Sequence, residues 1–70
     1  MLTVQIYINV KGRAQTTMSA MMPAAPVVGD VITIEPDGIM VVRDRSWSRR
    51  VVLGHEQWNL AIEVGPPDGE

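Results

Sequence analysis

The first ten residues constrain the fold more than any other stretch. Met1-Leu2-Thr3-Val4-Gln5-Ile6-Tyr7-Ile8-Asn9-Val10 alternates without a break. Leu2, Val4, Ile6, Ile8 and Val10 point one way, and Thr3, Gln5, Tyr7 and Asn9 the other. A period of two is the mark of a strand with one buried face. A short turn at Lys11-Gly12-Arg13 follows, and the partner strand can be registered by asking which loop keeps apolar residues together. A three-residue loop sets Leu2 against Met22, Val4 against Ala20, Ile6 against Met18 and Ile8 against Thr16. A two-residue loop sets Ile8 against Gln15 and Val4 against Ser19. Facial consistency selects the first, and a hairpin of residues 2–10 and 14–22 is expected.

Pro23-Ala24-Ala25-Pro26 ends that ladder, because proline has no N–H to donate and extends the residue before it. The spacing also matches a PxxP ligand, but such ligands sit in longer Pro-rich tails with basic neighbours, so a connector is the simpler reading. Val27-Val28-Gly29-Asp30 turns into a third strand, Val31–Ile34. Glu35-Pro36-Asp37-Gly38 is a turn with Pro suited to the second position of type I and Gly to the fourth. A fourth strand runs from Ile39 through Arg43 towards Trp47. Ile32, Ile34, Met40 and Val42 line one face, with Val31, Ile39 and Val41 on the other, as in a central or interface strand. Arg50–Leu53 reads as a fifth strand, Gly54–Gln57 as a four-residue turn and Trp58–Val64 as a sixth strand. That loop opposes Leu53 to Trp58 and Val51 to Leu60, and puts Trp58 in the core.

Six short strands without a helical period predict an all-β fold. The expected architecture is a small barrel or a strongly curved antiparallel sheet of five to six strands. Residues 1–64 form one domain, with 65–70 a flexible polar tail. Seventy residues bury little core, so partners or pairing faces matter and a homodimer is credible. There is no cysteine and one histidine, which rules out a disulfide scaffold or a structural zinc site, and no cofactor is expected. No apolar run is long enough for a spanning helix and no signal-peptide pattern is present, so a soluble cytoplasmic protein is expected. The net charge of −2 argues against a generic polynucleotide binder.

Val28-Gly29-Asp30-Val31-Ile32-Thr33-Ile34, a turn, and Met40-Val41-Val42-Arg43 running into Trp47 resemble a small SH3-like β-barrel. The resemblance covers residues 26–64. The layout of hairpin, Pro-x-Val-Gly-Asp connector and Trp-bearing strand also resembles short accessory proteins of bacteria and their phages. It implies a module that occupies a site on another macromolecule, such as a phage-encoded inhibitor or adaptor that blocks a bacterial host protein. A small phage structural protein is a further alternative.

Four of the six cations fall within eight residues, at Arg43, Arg45, Arg49 and Arg50, around Trp47. Arg and Trp dominate interface hot spots. They also make a platform for a stacked base and a phosphate, so a nucleotide or RNA binder is the alternative to a protein binder. The competing reading is a solvated edge whose charges prevent strand pairing. On a regular strand Arg43, Arg45 and Trp47 would share a face. Tyr7, among Thr3, Gln5 and Asn9, offers a second pairing surface, and Met21, projecting opposite to Met18 and Met22, could form a small apolar patch with Ala24 and Ala25. His55 and Glu56 could perform acid–base chemistry, but adjacent turn residues diverge and no nucleophile accompanies them. No nucleophile, base and orienter coincide, so an enzyme is not expected.

Overall fold

The computed structural model describes residues 2–36 and 38–67. Five strands form one curled sheet, a half-barrel: β1 (Leu2–Ile8), β2 (Thr16–Met22), β3 (Val31–Ile34), β4 (Gly38–Val52) and β5 (His55–Gly65). Their spatial order is β2-β1-β5-β4-β3. All neighbours are antiparallel except β1 and β5, which run parallel, so the sheet is mixed where an antiparallel one was expected.

The first hairpin has the register expected from facial consistency, with Ile6 opposite Met18 and Val4 opposite Ala20. The ladder stops at Ile8 and Thr16, earlier than expected. The Asn9 N–H turns instead to the Val64 carbonyl, and Gln15 Nε2 donates to Asn9 Oδ1. Gly12, at φ +86°, reverses the loop as only glycine does without strain.

The core is one aliphatic layer on the inner face. Val4, Ile6 and Ile8 of β1 meet Leu60, Ile62 and Val64 of β5, Met40 and Val42 of β4, and Ile34 of β3. Burying each such side chain is worth about 1.5–3 kcal/mol. Leu2, Ala20, Met22 and Ile32 pack at its margin. Val31 and Ile39 lie exposed on the outer face, so the two-faced apolar pattern of β3 and β4 buries only its Ile34, Met40 and Val42 side fully.

β2 and β3 occupy opposite edges, so the connector between them must cross the whole sheet. Pro23–Pro26 makes that crossing over the inner face. Pro26 is buried and Ala25 packs on the core. Proline suits this path because a strap outside any ladder needs no N–H partner. A turn closed by Asp30 N–H to the Val27 carbonyl, at 3.0 Å, then delivers the chain to β3.

The largest departure from expectation lies in β4. The two strands expected at 39–47 and 50–53 are a single strand of 15 residues. A bulge between Val42 and Asp44 shifts its register against β5. The chain reverses at Leu53-Gly54, with φ of +52° and +78°, which is a two-residue turn of the type whose twist suits a hairpin. The expected four-residue turn therefore does not form. Val52 opposes His55, Arg49 opposes Trp58 and Trp47 opposes Leu60. At the far end Gly65 pairs with Val41 and Arg43 Nη2 donates to the Pro66 carbonyl, which ties residues just beyond Val64 to the body. The expected tail continues through 68–70, which lie outside the described residues, as does Asp37 of the β3–β4 turn.

Candidate functional site: an arginine and tryptophan arm

β5 pairs with β1 only over Leu60–Val64, and β3 pairs with β4 only over Gly38–Val41. Val42 still exchanges backbone hydrogen bonds with Gly29 and Asp30; beyond it, and before Leu60, β4 and β5 pair only with each other among the described residues. They project as a two-stranded arm from a molecule 43 Å long and 24 by 19 Å across.

Register fixes the faces of this arm. Arg45, Trp47, Arg49 and Val51 oppose Ile62, Leu60, Trp58 and Glu56, so all lie on the inner face, continuous with the core. Asp44, Ser46, Ser48, Arg50 and Val52 take the outer face. Trp47 begins where the buried layer ends and is 44% exposed; Trp58, diagonal to it, is 54% exposed. The expectation that Trp58 is mostly buried is therefore wrong. The two-residue turn sets Trp58 opposite Arg49 in place of Leu53, and even there it lies beyond the buried layer, which ends at Leu60. Val51 is exposed beside it.

A carboxylate organises this surface. Arg49 Nε donates to Glu56 Oε2 at 2.7 Å, and Trp58 Nε1 donates to Glu56 Oε1 at 2.7 Å. Arg49, and secondarily the Trp58 indole, hold the Glu56 carboxyl below its ordinary value. Glu56 thus neutralises Arg49 and fixes the indole orientation. Glu56 and its chain neighbour His55 sit on opposite faces of β5, so the acid–base pair considered from sequence is not assembled.

The expected Arg–Trp patch is divided. Trp47 and Arg49 stay together on the inner face. Arg45 also lies there, with Nη1 donating to the Pro26 carbonyl at 3.1 Å, so it anchors the connector. The bulge breaks the period of two and sends Arg43 to the other side, where it covers Gly65 and reaches Pro66. Arg43 therefore does not share a face with Arg45 and Trp47. Arg50 lies on the outer face opposite Gln57 and makes no ion pair or hydrogen bond among the described residues. It borders a shallow polar depression of about 330 Å³ shared with Tyr7, Gln5 and Asn59. Tyr7 is half-buried and lies on that outer face, apart from the tryptophans.

Sequence reading missed Trp58 and Glu56 as members of the exposed cluster. The available signal was the alternative turn: a two-residue loop at Leu53-Gly54 sets Trp47 against Leu60, an apolar match on the core face. Electrostatics single out the arm as well. Arg45, Arg49 and Arg50 against Glu56 leave +2 on residues 45–59, and with the chain at −2 the remainder carries −4.

No protein family, curated protein or solved structure matches this chain. The described residues contain no helix long and apolar enough to cross a membrane.

Proposed function

We propose that this chain is a non-enzymatic protein-binding module that engages its partner through the inner face of the arm. One observation carries the reading. Trp47 and Trp58 stand exposed on a single face, flanked by Val51 and Arg49, on a two-stranded projection that no other strand pairs with among the described residues. Tryptophan and arginine are the residues that anchor protein interfaces, and rigid aromatics lose little entropy on docking. The arm's positive charge favours an acidic partner surface and a rate of association that falls with salt. The curled sheet fits an SH3-like reading. The likeness of its layout to short phage and bacterial proteins makes a bacterial protein the partner class we favour, with the chain acting as inhibitor or adaptor.

The alternative is a nucleotide or RNA stacked on the same tryptophans. The Arg49–Glu56 pair weighs against it, because the carboxylate consumes the nearest cation and repels phosphate. Capture from bacterial lysate with and without nuclease separates the two. We expect a protein that survives nuclease treatment and is lost with Trp58→Ala or Trp47→Ala, each costing about 2 kcal/mol or more of binding. Co-purifying RNA whose capture falls steeply with salt would transfer the function to the alternative.

A further inference from the structure

A free strand edge is an unfinished ladder, because half of its N–H and C=O groups face outward with no strand to receive them. Edges are ordinarily blunted by charge, proline, bulges or shortness. β3 has four residues and is bounded by Asp30 and by Glu35-Pro36. The arm carries Arg45, Arg49, Arg50 and Glu56, with the bulge at its base. β2 is followed by Pro23, but it has no such protection within its own seven residues. Thr16-Thr17-Met18-Ser19-Ala20-Met21-Met22 contains no charge and no proline, and it pairs with β1 without a bulge. Met18 and Met21 on this strand are exposed, Met21 at 60%.

This edge is complementary to itself. Antiparallel pairing about a two-fold axis at Ser19 sets Ser19 opposite its own copy, Met18 opposite Ala20, Thr17 opposite Met21 and Thr16 opposite Met22. In that register inner-face residues meet only inner-face residues. Ala20 and Met22 already pack at the core margin, and Met18 lies on the same face opposite Ile6, so the two apolar layers become continuous across the seam. Each long methionine meets a shorter Ala or Thr, which lets the side chains interdigitate. No charge on either strand opposes a like charge on the other.

We propose that two copies of the chain pair through β2, edge to edge, to give one continuous sheet with the half-barrels side by side. This surface is distinct from the arm, so the inference does not rest on the protein-binding reading.

Sedimentation of the full chain over a concentration series is the direct measurement, and a concentration-dependent dimer is expected. Ser19→Lys places two like charges opposite each other and weakens the dimer by about tenfold or more. Ser19→Glu does the same, and an equimolar mixture of the two variants restores dimers. A second pair tests the register without touching the axis. Thr17→Lys with Met21→Glu in one chain keeps or tightens the dimer, whereas Thr17→Lys with Met21→Lys disrupts it. Circular dichroism of each variant monitors the fold. A wild type that stays monomeric throughout would overturn the proposal. So would a dimer indifferent to Ser19→Lys but lost with Trp58→Ala, or variants whose mixture fails to restore association.

Discussion

At the scale of single residues, burial separates two large apolar neighbours on one strand face. Leu60 is 1% exposed at the centre of the core, while Trp58, two positions earlier, is 54% exposed. Leu60→Ala is therefore expected to cost about 2–5 kcal/mol of stability, the range for a buried leucine that leaves a cavity. Trp58→Ala is expected to cost under about 1 kcal/mol, since a half-exposed side chain has few contacts to lose. Urea denaturation of the two variants checks the contrast, and a Trp58 loss as large as that of Leu60 would place the indole back in the core.

Glu56 gives a prediction in pH. Its carboxyl is held below the ordinary value of 4.5 by Arg49 and then by Trp58. A depressed carboxylate contributes its stabilisation above that ordinary value and loses it as pH falls through the folded one. Tryptophan emission should hence change on acidification below the usual glutamate range, as the indole loses its acceptor. Glu56→Gln should abolish the transition, and its persistence in that variant would assign it elsewhere.

Among elements, the arm depends on a turn whose residues do not fit it well. Leu53 holds φ +52° and is 93% exposed, so it occupies a left-handed position with no packing in return. A branched side chain there costs roughly 1–2 kcal/mol relative to residues that tolerate the conformation. Leu53→Asn creates the Asn-Gly pair preferred by this turn. It is expected to raise stability by about 1 kcal/mol without altering the β4–β5 register, as thermal melting and backbone amide contacts would show. The same turn explains how far the sequence could be read. The β1–β2 register was legible because one loop length puts Leu2, Val4 and Ile6 opposite apolar partners and the competing length does not. At β4–β5 the deciding glycine follows a leucine in place of Asn or Asp, so the turn carries no signature. The arginine-rich stretch then conceals that β4 is continuous. The parallel pairing of β1 with β5 was out of reach for a different reason: it joins segments some fifty residues apart, and no local pattern records which edge of a hairpin meets a distant strand. The bulge that divides Arg43 from Arg45 is equally silent, because its cause is the ladder opposite.

For the whole molecule, the sheet is a hairpin (β1, β2) joined to a meander (β3, β4, β5) by the parallel β1–β5 ladder and the strap over the core. The aliphatic layer is shared between them: Val4, Ile6 and Ile8 come from one part and the other six buried residues from the other. An isolated two-stranded hairpin is marginal in water, and without it the meander loses three of the nine buried side chains and the strand that covers the edge of β5. A chain cut after Ala24 should therefore yield fragments that are unstructured apart and that recover the strand signature in circular dichroism when mixed. Fragments that fold independently would contradict the shared layer. In that respect the protein is built as a lock that carries its own key, with residues 2–24 acting as a tethered ligand for the edge of β5.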